Sequence, residues 1–329
     1  MTNHLQRSRP ASSAPIRPLS LALQGGGAFG AFTWGVLDRL LEEPDIVFDT
    51  VSGASAGAVN AVVMADGLRR GGRDGARESL AVFWTALAEK ARSSFLPASP
   101  RTSLALDLST RILSPYQMNP FDLNPLRTLL TDAVDFEALA AGSPVRLVVS
   151  ATRVSDGGLR IFREHEMTRD AVLASACLPL MNHAVTVDGE DYWDGGYAAN
   201  PPLTELVEVA DAARILLVQI VPTQVDGTPT SSPTIAKRLN QITFNGPLLH
   251  DVAALEAMKR LSGHDGGDSA LSRKLAALSL ERISAEDWVP DLARRSGLDL
   301  DRKALIDLRD HGRVAASSWL EGAETERAA

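Results

Sequence analysis

Residues 51–57 read Val-Ser-Gly-Ala-Ser-Ala-Gly, which places Ser55 between Gly53 and Gly57, just after the apolar run Ile46, Val47 and Phe48 and ahead of a helix-like segment. A Gly-x-Ser-x-Gly turn joins a strand to a helix so sharply that the serine is forced out at the crest. The flanking glycines are needed because a Cβ there would meet neighbouring backbone. Ser55 would then sit at a helix N-terminus, where the N–H of Ala56 and the helix dipole favour negative charge on a bound oxygen. The chemistry this suits is nucleophilic attack on an ester. Small-residue strings also begin ordinary helices, with the serine as a cap, so the turn alone leaves both readings open.

A second fragment lies about thirty residues earlier. Leu21, Ala22, Leu23 and Gln24 read as a strand, and Phe32, Val36, Leu37, Leu40 and Leu41 share one face of a following helix. Between them runs Gly25-Gly26-Gly27-Ala28-Phe29-Gly30, a loop whose N–H groups can point at an anion unobstructed by side chains. Two ligands suit it. Gly25, Gly27 and Gly30 have the spacing of a dinucleotide loop, with Asp49, nineteen residues past Gly30, as the ribose-binding acid of an oxidoreductase. Alternatively the N–H groups of Gly25, Gly26 and Gly27, with that of Ala56, form the oxyanion hole of an acyl transferase or hydrolase, where one donor contributes roughly 3–4 kcal/mol. A Walker-type loop is excluded, since no Gly-Lys-Ser/Thr follows.

Only the acyl-transfer reading uses both fragments, and it requires a base. The chain has seven Asp-Gly pairs, at Asp66, Asp74, Asp156, Asp188, Asp194, Asp226 and Asp265. Asp156-Gly157 and Asp188-Gly189 fall between strand-like runs and read as hairpin tips. Asp194 differs: it is flanked by Trp193 and Tyr197, followed by Gly195 and Gly196, and leads through Asn200-Pro201-Pro202 into a helical run, a strand-to-helix junction.

Together the three fragments resemble the patatin-like phospholipase family, in its bacterial form: a glycine-rich loop (Gly25 to Gly30), a Gly-x-Ser-x-Gly elbow (Gly53 to Gly57) and a downstream Asp-Gly-Gly (Asp194 to Gly196). Residues 174–180 (Ala-Ser-Ala-Cys-Leu-Pro-Leu) and 114–120 (Ser-Pro-Tyr-Gln-Met-Asn-Pro) are also similar to its bacterial members. The resemblance implies an α/β fold with a mostly parallel central sheet and helices on both faces, a three-layer sandwich. It implies a catalytic dyad of Ser55 as nucleophile and Asp194 as proton acceptor, with no histidine, metal or cofactor. The substrates implied are lipid acyl esters, phospholipid or neutral glyceride, met in transient contact with a membrane surface. A catalytically silent lipid-binding member would carry the same motifs. Phe29 departs from the family, which often has Arg, Lys or another polar residue there, so no charge at that position anchors a substrate. A free aspartate titrates near about 3.9 and is a poor base for a hydroxyl, so the site must compensate by proximity, desolvation and the helix N-terminus. His250, His264 and His311 follow Asp194 in the order of a conventional triad, but their surroundings read as structural or solvated.

The elements that must position these residues are strands at 19–23, 46–51, 145–151, 159–162 and 214–221, alternating with helical segments. Linker-like stretches fall at 223–233 and 262–269, and the proline-rich segment 95–126 reads either as a packed connection or as a flap over the acyl pocket. Residues 1–17, rich in Ser, Pro and Arg, read as a disordered leader, 18–320 as one acyl hydrolase domain and 321–329 as a polar tail. With 329 residues, 45% of them hydrophobic, the chain can bury a full core. Its net charge of −8 disfavours nucleic acid, and the single Cys177 permits no internal disulfide. With neither a secretory signal nor a long apolar run, the expected compartment is the cytoplasm.

Overall fold

The computed structural model of the protein describes residues 17–93, 114–264 and 269–328. Its strands are β1 (Arg17–Leu23), β2 (Ile46–Gly53), β3 (Arg146–Arg153), β4 (Leu159–Arg163), β5 (Val185–Val187), β6 (Glu190–Asp194), β7 (Arg214–Gln219) and β8 (Ser279–Ser284). They form one sheet in the order β5-β6-β3-β2-β1-β7-β8, with β4 also on β3. The five strands from β3 to β8 in that order are parallel; β4, β5 and β6 join antiparallel. The helices are α1 (Gly30–Leu40), α2 (Ala56–Ser93, bent at Gly71 and Gly72), α3 (Pro115–Met118), α4 (Pro125–Ala133), α5 (Phe136–Ala141), α6 (Arg169–Ser175), α7 (Leu203–Val209), α8 (Ser232–His264), α9 (Ala270–Ala277) and α10 (Arg302–Ala328).

Side-chain alternation along the central strands divides the core into two layers. Leu21, Leu23, Leu216 and Val218 pack with α1, α2 and α10 on one face. Ala22, Ile215 and Leu217 pack with Leu203 and Leu206 of α7 and Leu248 and Leu255 of α8 on the other. The result is the expected mostly parallel sheet between two helical layers. All five expected strands are present, with ends shifted by a residue or two. The hairpin tip expected at Asp188 joins the short strands β5 and β6, for which the sequence pattern gives no bounds; β8, at the sheet edge, is unexpected because its residues are mostly polar or part-exposed. The expected linker at 262–269 is shorter than supposed, because α8 runs on to His264; residues 265–268, and residues 95–113 of the supposed flap, lie outside the described residues.

The pairing around β3 decides where the chain can do chemistry. On one edge β3 pairs with β4, through 148–152. The other edge carries β2 at 146–149, with Gly53 opposite Val149. At Gly53 the chain of β2 leaves the sheet, and β6 takes over that edge, with Asp194 opposite Ala151. Asp194 therefore lies in line with the end of β2, two residues of β3 beyond the partner of Gly53.

The α1–α10 contact closes the outer layer. Sequence pattern gives α1 one apolar face, but in the fold nearly all of it is buried, because α10 covers the side away from the sheet. The two backbones meet at glycines: a Cβ on Gly35 would stand 1.9 Å from the Arg309 carbonyl oxygen, and one on Gly312 would stand 2.1 Å from that of Phe32. Gly35→Ala should therefore cost about 1–3 kcal/mol in urea unfolding through overpacking. Gly322→Ala on α10, with nothing within 4 Å of its Cβ, should be neutral or stabilise by up to about 1 kcal/mol. Equal effects at the two positions would contradict this packing.

Candidate active site

Ser55 lies between β2 and α2 with φ at 53°, the left-handed region that a residue with a Cβ seldom adopts. The turn is this tight because β1 runs directly beneath it: a Cβ on Gly57 would lie 2.0 Å from the Leu23 carbonyl oxygen. Ser55 is 7% exposed, and its own N–H donates to Ser175 Oγ at 3.0 Å, a clamp from the end of α6. Ala56 opens α2, so its N–H has no acceptor within the helix.

The glycine loop leaves β1 beside this serine; a Cβ on Gly25 would stand 2.7 Å from Ser55 Cβ. One expectation is corrected here. Gly25 cannot serve as an oxyanion donor, because its N–H already donates to Asn200 Oδ1 at 2.7 Å. Further on, Ala28 N–H donates to the Gly297 carbonyl at 2.7 Å and Phe29 N–H to that of Gly26 at 3.3 Å. Among the described residues the N–H groups of Gly26 and Gly27 have no protein acceptor. Gly27 also holds φ at 61° with the Gly297 carbonyl against it, so no side chain fits there. Phe29 is buried with its ring against Gly297, pointing into the protein rather than toward a substrate.

Asp194 ends β6 and is completely buried. Its main chain is pinned on both sides, N–H to the Cys177 carbonyl and carbonyl to Thr152 Oγ1, each at 2.8 Å. Oδ1 accepts the Gly196 N–H at 2.8 Å, while Oδ2 has no partner of regular hydrogen-bond geometry. Burial pushes this carboxyl up to about 7, and the Ser55 hydroxyl and Gly196 N–H act in the opposite direction. The Ser55 hydroxyl is thus close enough to stabilise the carboxylate without closing a regular bond to it. Burial, and next the Asp194 charge, also raise Cys177 and Tyr197 to about 12, which makes Cys177 an inert thiol. Gly195 packs on Ser150 and Gly196 on the Phe244 ring, so each is glycine for want of space.

The structure thus brings together Ser55, Asp194 and the free N–H groups of Gly26 and Gly27, with Gly30, Gly53, Gly57, Gly195 and Gly196 allowing the backbones to approach. A buried serine hydroxyl beside a carboxyl that burial raises toward neutral pH is an arrangement whose chemistry allows proton transfer between the two. The sequence reading missed four contributors. Asn200 and Ser175 stand in stretches that had drawn notice as motifs. Gln24, which accepts Ile220 and Val221 N–H and donates to Asn245, and the Gly297 turn carry no local signal. His311 bonds its own helix through the Asp307 carbonyl, and His250 is exposed on α8.

Asp49 does not fit the dinucleotide reading. It lies on β2 four residues ahead of Gly53, and its carboxylate accepts the N–H groups of Asp211 and Ala212 at 2.8 and 3.1 Å and faces Arg146. A cleft of about 430 Å³ lined by Pro18, Phe48, Asp49, Arg146, Glu164 and Asp211 lies at this end of the sheet. Ligands of open α/β sheets bind at the opposite, carboxyl ends of the strands, where Ser55 stands.

The family model described as patatin-like phospholipase matches residues 21–207, more than half of the chain. The chain belongs to the patatin-like phospholipase family. This patatin-like phospholipase domain, of an acyl hydrolase family, has structural neighbours among solved bacterial proteins. VipD from Legionella pneumophila is 16% identical with a TM-score of 0.35, over 91% of this chain and 67% of that one. The ExoU–SpcU complex of the Pseudomonas aeruginosa type III secretion system is 17% identical with a TM-score of 0.34, over 92% and 74%. A comparison with curated proteins finds no match.

The raised carboxyl has a consequence for stability. Asp194 would titrate near 3.8 when unfolded and near 7 when folded, so the folded state binds its proton more tightly and loses stability as pH rises from the first value to the second. Asp194→Asn, which cannot ionise, should therefore be more stable than wild type at pH 8, on the order of 4 kcal/mol, with the gain fading toward pH 4. Urea unfolding at both pH values checks this; a pH-independent difference would count against a buried, ionising carboxylate.

Proposed function

We propose that the protein is a serine hydrolase that cleaves lipid acyl esters, of phospholipid or neutral glyceride, with Ser55 as nucleophile and Asp194 as proton acceptor. The observation that carries this reading is the buried Asp194 carboxyl, with Oδ2 left without a regular partner and the Ser55 hydroxyl beside it. Ser55 Oγ attacks the ester carbonyl carbon as its proton passes to Asp194. The carbonyl oxygen becomes an oxyanion, which the Gly26 and Gly27 N–H groups are placed to receive, with Ala56 N–H at the helix start. Collapse of the tetrahedral intermediate breaks the bond to the leaving alcohol, which takes the proton back from Asp194. Water then attacks the acyl-serine and gives a proton to Asp194, which passes it to Ser55 Oγ as the bond between that oxygen and the acyl carbon breaks. Fatty acid and free Ser55 result.

Burial makes this dyad workable without an imidazole. A carboxylate near its usual range would be far too weak a base for a hydroxyl, whereas one raised to about 7 is more basic and still ionised in about half of the molecules at neutral pH. A lipid substrate is supported by family membership and by Leu180 and Met181, exposed a few residues beyond Cys177, whose carbonyl holds Asp194. Among the described residues no helix is long and apolar enough to cross a membrane.

A fluorophosphonate should label the purified protein at Ser55, and Ser55→Ala should abolish both labelling and ester hydrolysis with little change in melting temperature. An unlabelled wild type would point to a silent lipid-binding member. The pH profile of kcat/KM should rise through a single ionisation near 7, because the carboxylate form of Asp194 is the competent one. A profile flat between pH 5 and 8 would remove Asp194 from the role of base.

A further inference from the structure

We infer that Asn200 is a positioning residue that aims the oxyanion loop and ties it to the Asp194 turn, an inference that rests on the hydrolase reading above. Asn200 lies six residues beyond Asp194 and is completely buried. Its single side-chain amide grips Gly25 from both sides: Oδ1 accepts the Gly25 N–H at 2.7 Å, and Nδ2 donates to the Gly25 carbonyl at 3.3 Å. The same Nδ2 donates to the Phe244 carbonyl at 2.9 Å.

The geometry of the peptide bond makes this grip directional. In a planar trans peptide the C=O and N–H point opposite ways. Holding the Gly25 carbonyl toward Asn200 therefore turns the N–H of Gly26, its partner in that peptide, away from Asn200 and leaves it free. The next peptide is held in the same fashion, since the Gly26 carbonyl accepts the Phe29 N–H and so fixes the direction of Gly27 N–H. A glycine run has no side chains to set these planes, and without an outside clamp its φ and ψ would be broadly free.

Only a planar group that donates and accepts in one plane can hold both sides of Gly25. Asp lacks the donor when ionised, and Ser is too short to reach Gly25 and Phe244 together. The Phe244 bond extends the constraint, because the Phe244 ring packs edge-on against Tyr197 at 5.0 Å and closes over Gly196, whose N–H is the one on Asp194 Oδ1. Oxyanion loop and base are thus held by one buried side chain rather than placed independently. Its contribution should appear in turnover rather than in ground-state binding, since a donor misplaced by about 1 Å costs on the order of 10²-fold.

The test is Asn200→Ala, with active sites counted by fluorophosphonate titration so that misfolded protein does not enter the rate. Turnover of an acyl ester per titrated site should fall about 10²-fold, with KM within about twofold of wild type and the pH midpoint unmoved. A merely structural asparagine would lower the melting temperature and the titratable fraction but leave turnover per site alone; turnover within about threefold of wild type overturns the inference. If Asn200→Ala does not fold, Asn200→Ser decides by the same reading, with a loss of about tenfold or more expected per site. Failure of the wild type itself to be labelled at Ser55 would overturn the hydrolase reading, and this inference with it.

Discussion

The arrangement of the candidate site depends on a single exchange of strands. β2 occupies one edge of β3 as far as Gly53, then turns sharply away through Ser55; β6 arrives antiparallel on the vacated edge and ends at Asp194. Two residues distant in sequence are thereby set at neighbouring chain ends on the same line of the sheet, and backbone hydrogen bonds rather than flexible side chains fix their separation. The same exchange explains why Asp194 is buried. It stands inside the sheet, its N–H on the Cys177 carbonyl and its carboxyl beside Gly196, over which the Phe244 ring closes.

Two local costs follow, and both suit catalysis. Ser55 keeps a left-handed backbone conformation, of order 1–3 kcal/mol for a residue with a Cβ, held by Leu23 passing below Gly57 and by the Ser175 clamp. Asp194 keeps a carboxyl in a place where its charge is poorly solvated. Each is unfavourable for folding alone, and on the proposed hydrolase reading each has a use: the strained turn presents the hydroxyl, and desolvation makes the carboxylate more basic. Stability given up at a reactive site is a familiar pattern. Here the large two-layer core around β1 and β7 supports it.

Much of this was legible in the sequence because the decisive features are local. Gly53 to Gly57 specify a sharp turn by their spacing, and the Asp156 and Asp188 pairs are indeed hairpin turns, with Gly157 and the Asp188-Gly189 pair at positive φ. Asp194 stood apart from the other Asp-Gly pairs because aromatic residues flanked it, and those neighbours contribute to its burial. What could not be read is the use made of the glycine loop's N–H groups. Gly25 was a plausible donor until Asn200, 175 residues away, was seen to occupy it, and Ala28 is occupied by Gly297 from the C-terminal part of the chain. Such bonds depend on tertiary approach and leave no periodicity or spacing behind. The same holds for the register of β6 on β3, which sets Asp194 opposite Ala151 and which the polar Glu190 and Asp191 do not announce.

The most direct test of the account is a crystal structure of the protein after reaction with a long-chain fluorophosphonate, whose adduct imitates the tetrahedral intermediate. The account predicts phosphorus bonded to Ser55 Oγ, the phosphoryl oxygen within about 3 Å of the Gly26 and Gly27 nitrogens, and Asp194 beside the modified serine. A phosphoryl oxygen directed away from both glycines, or phosphorus carried by any other residue, would contradict it.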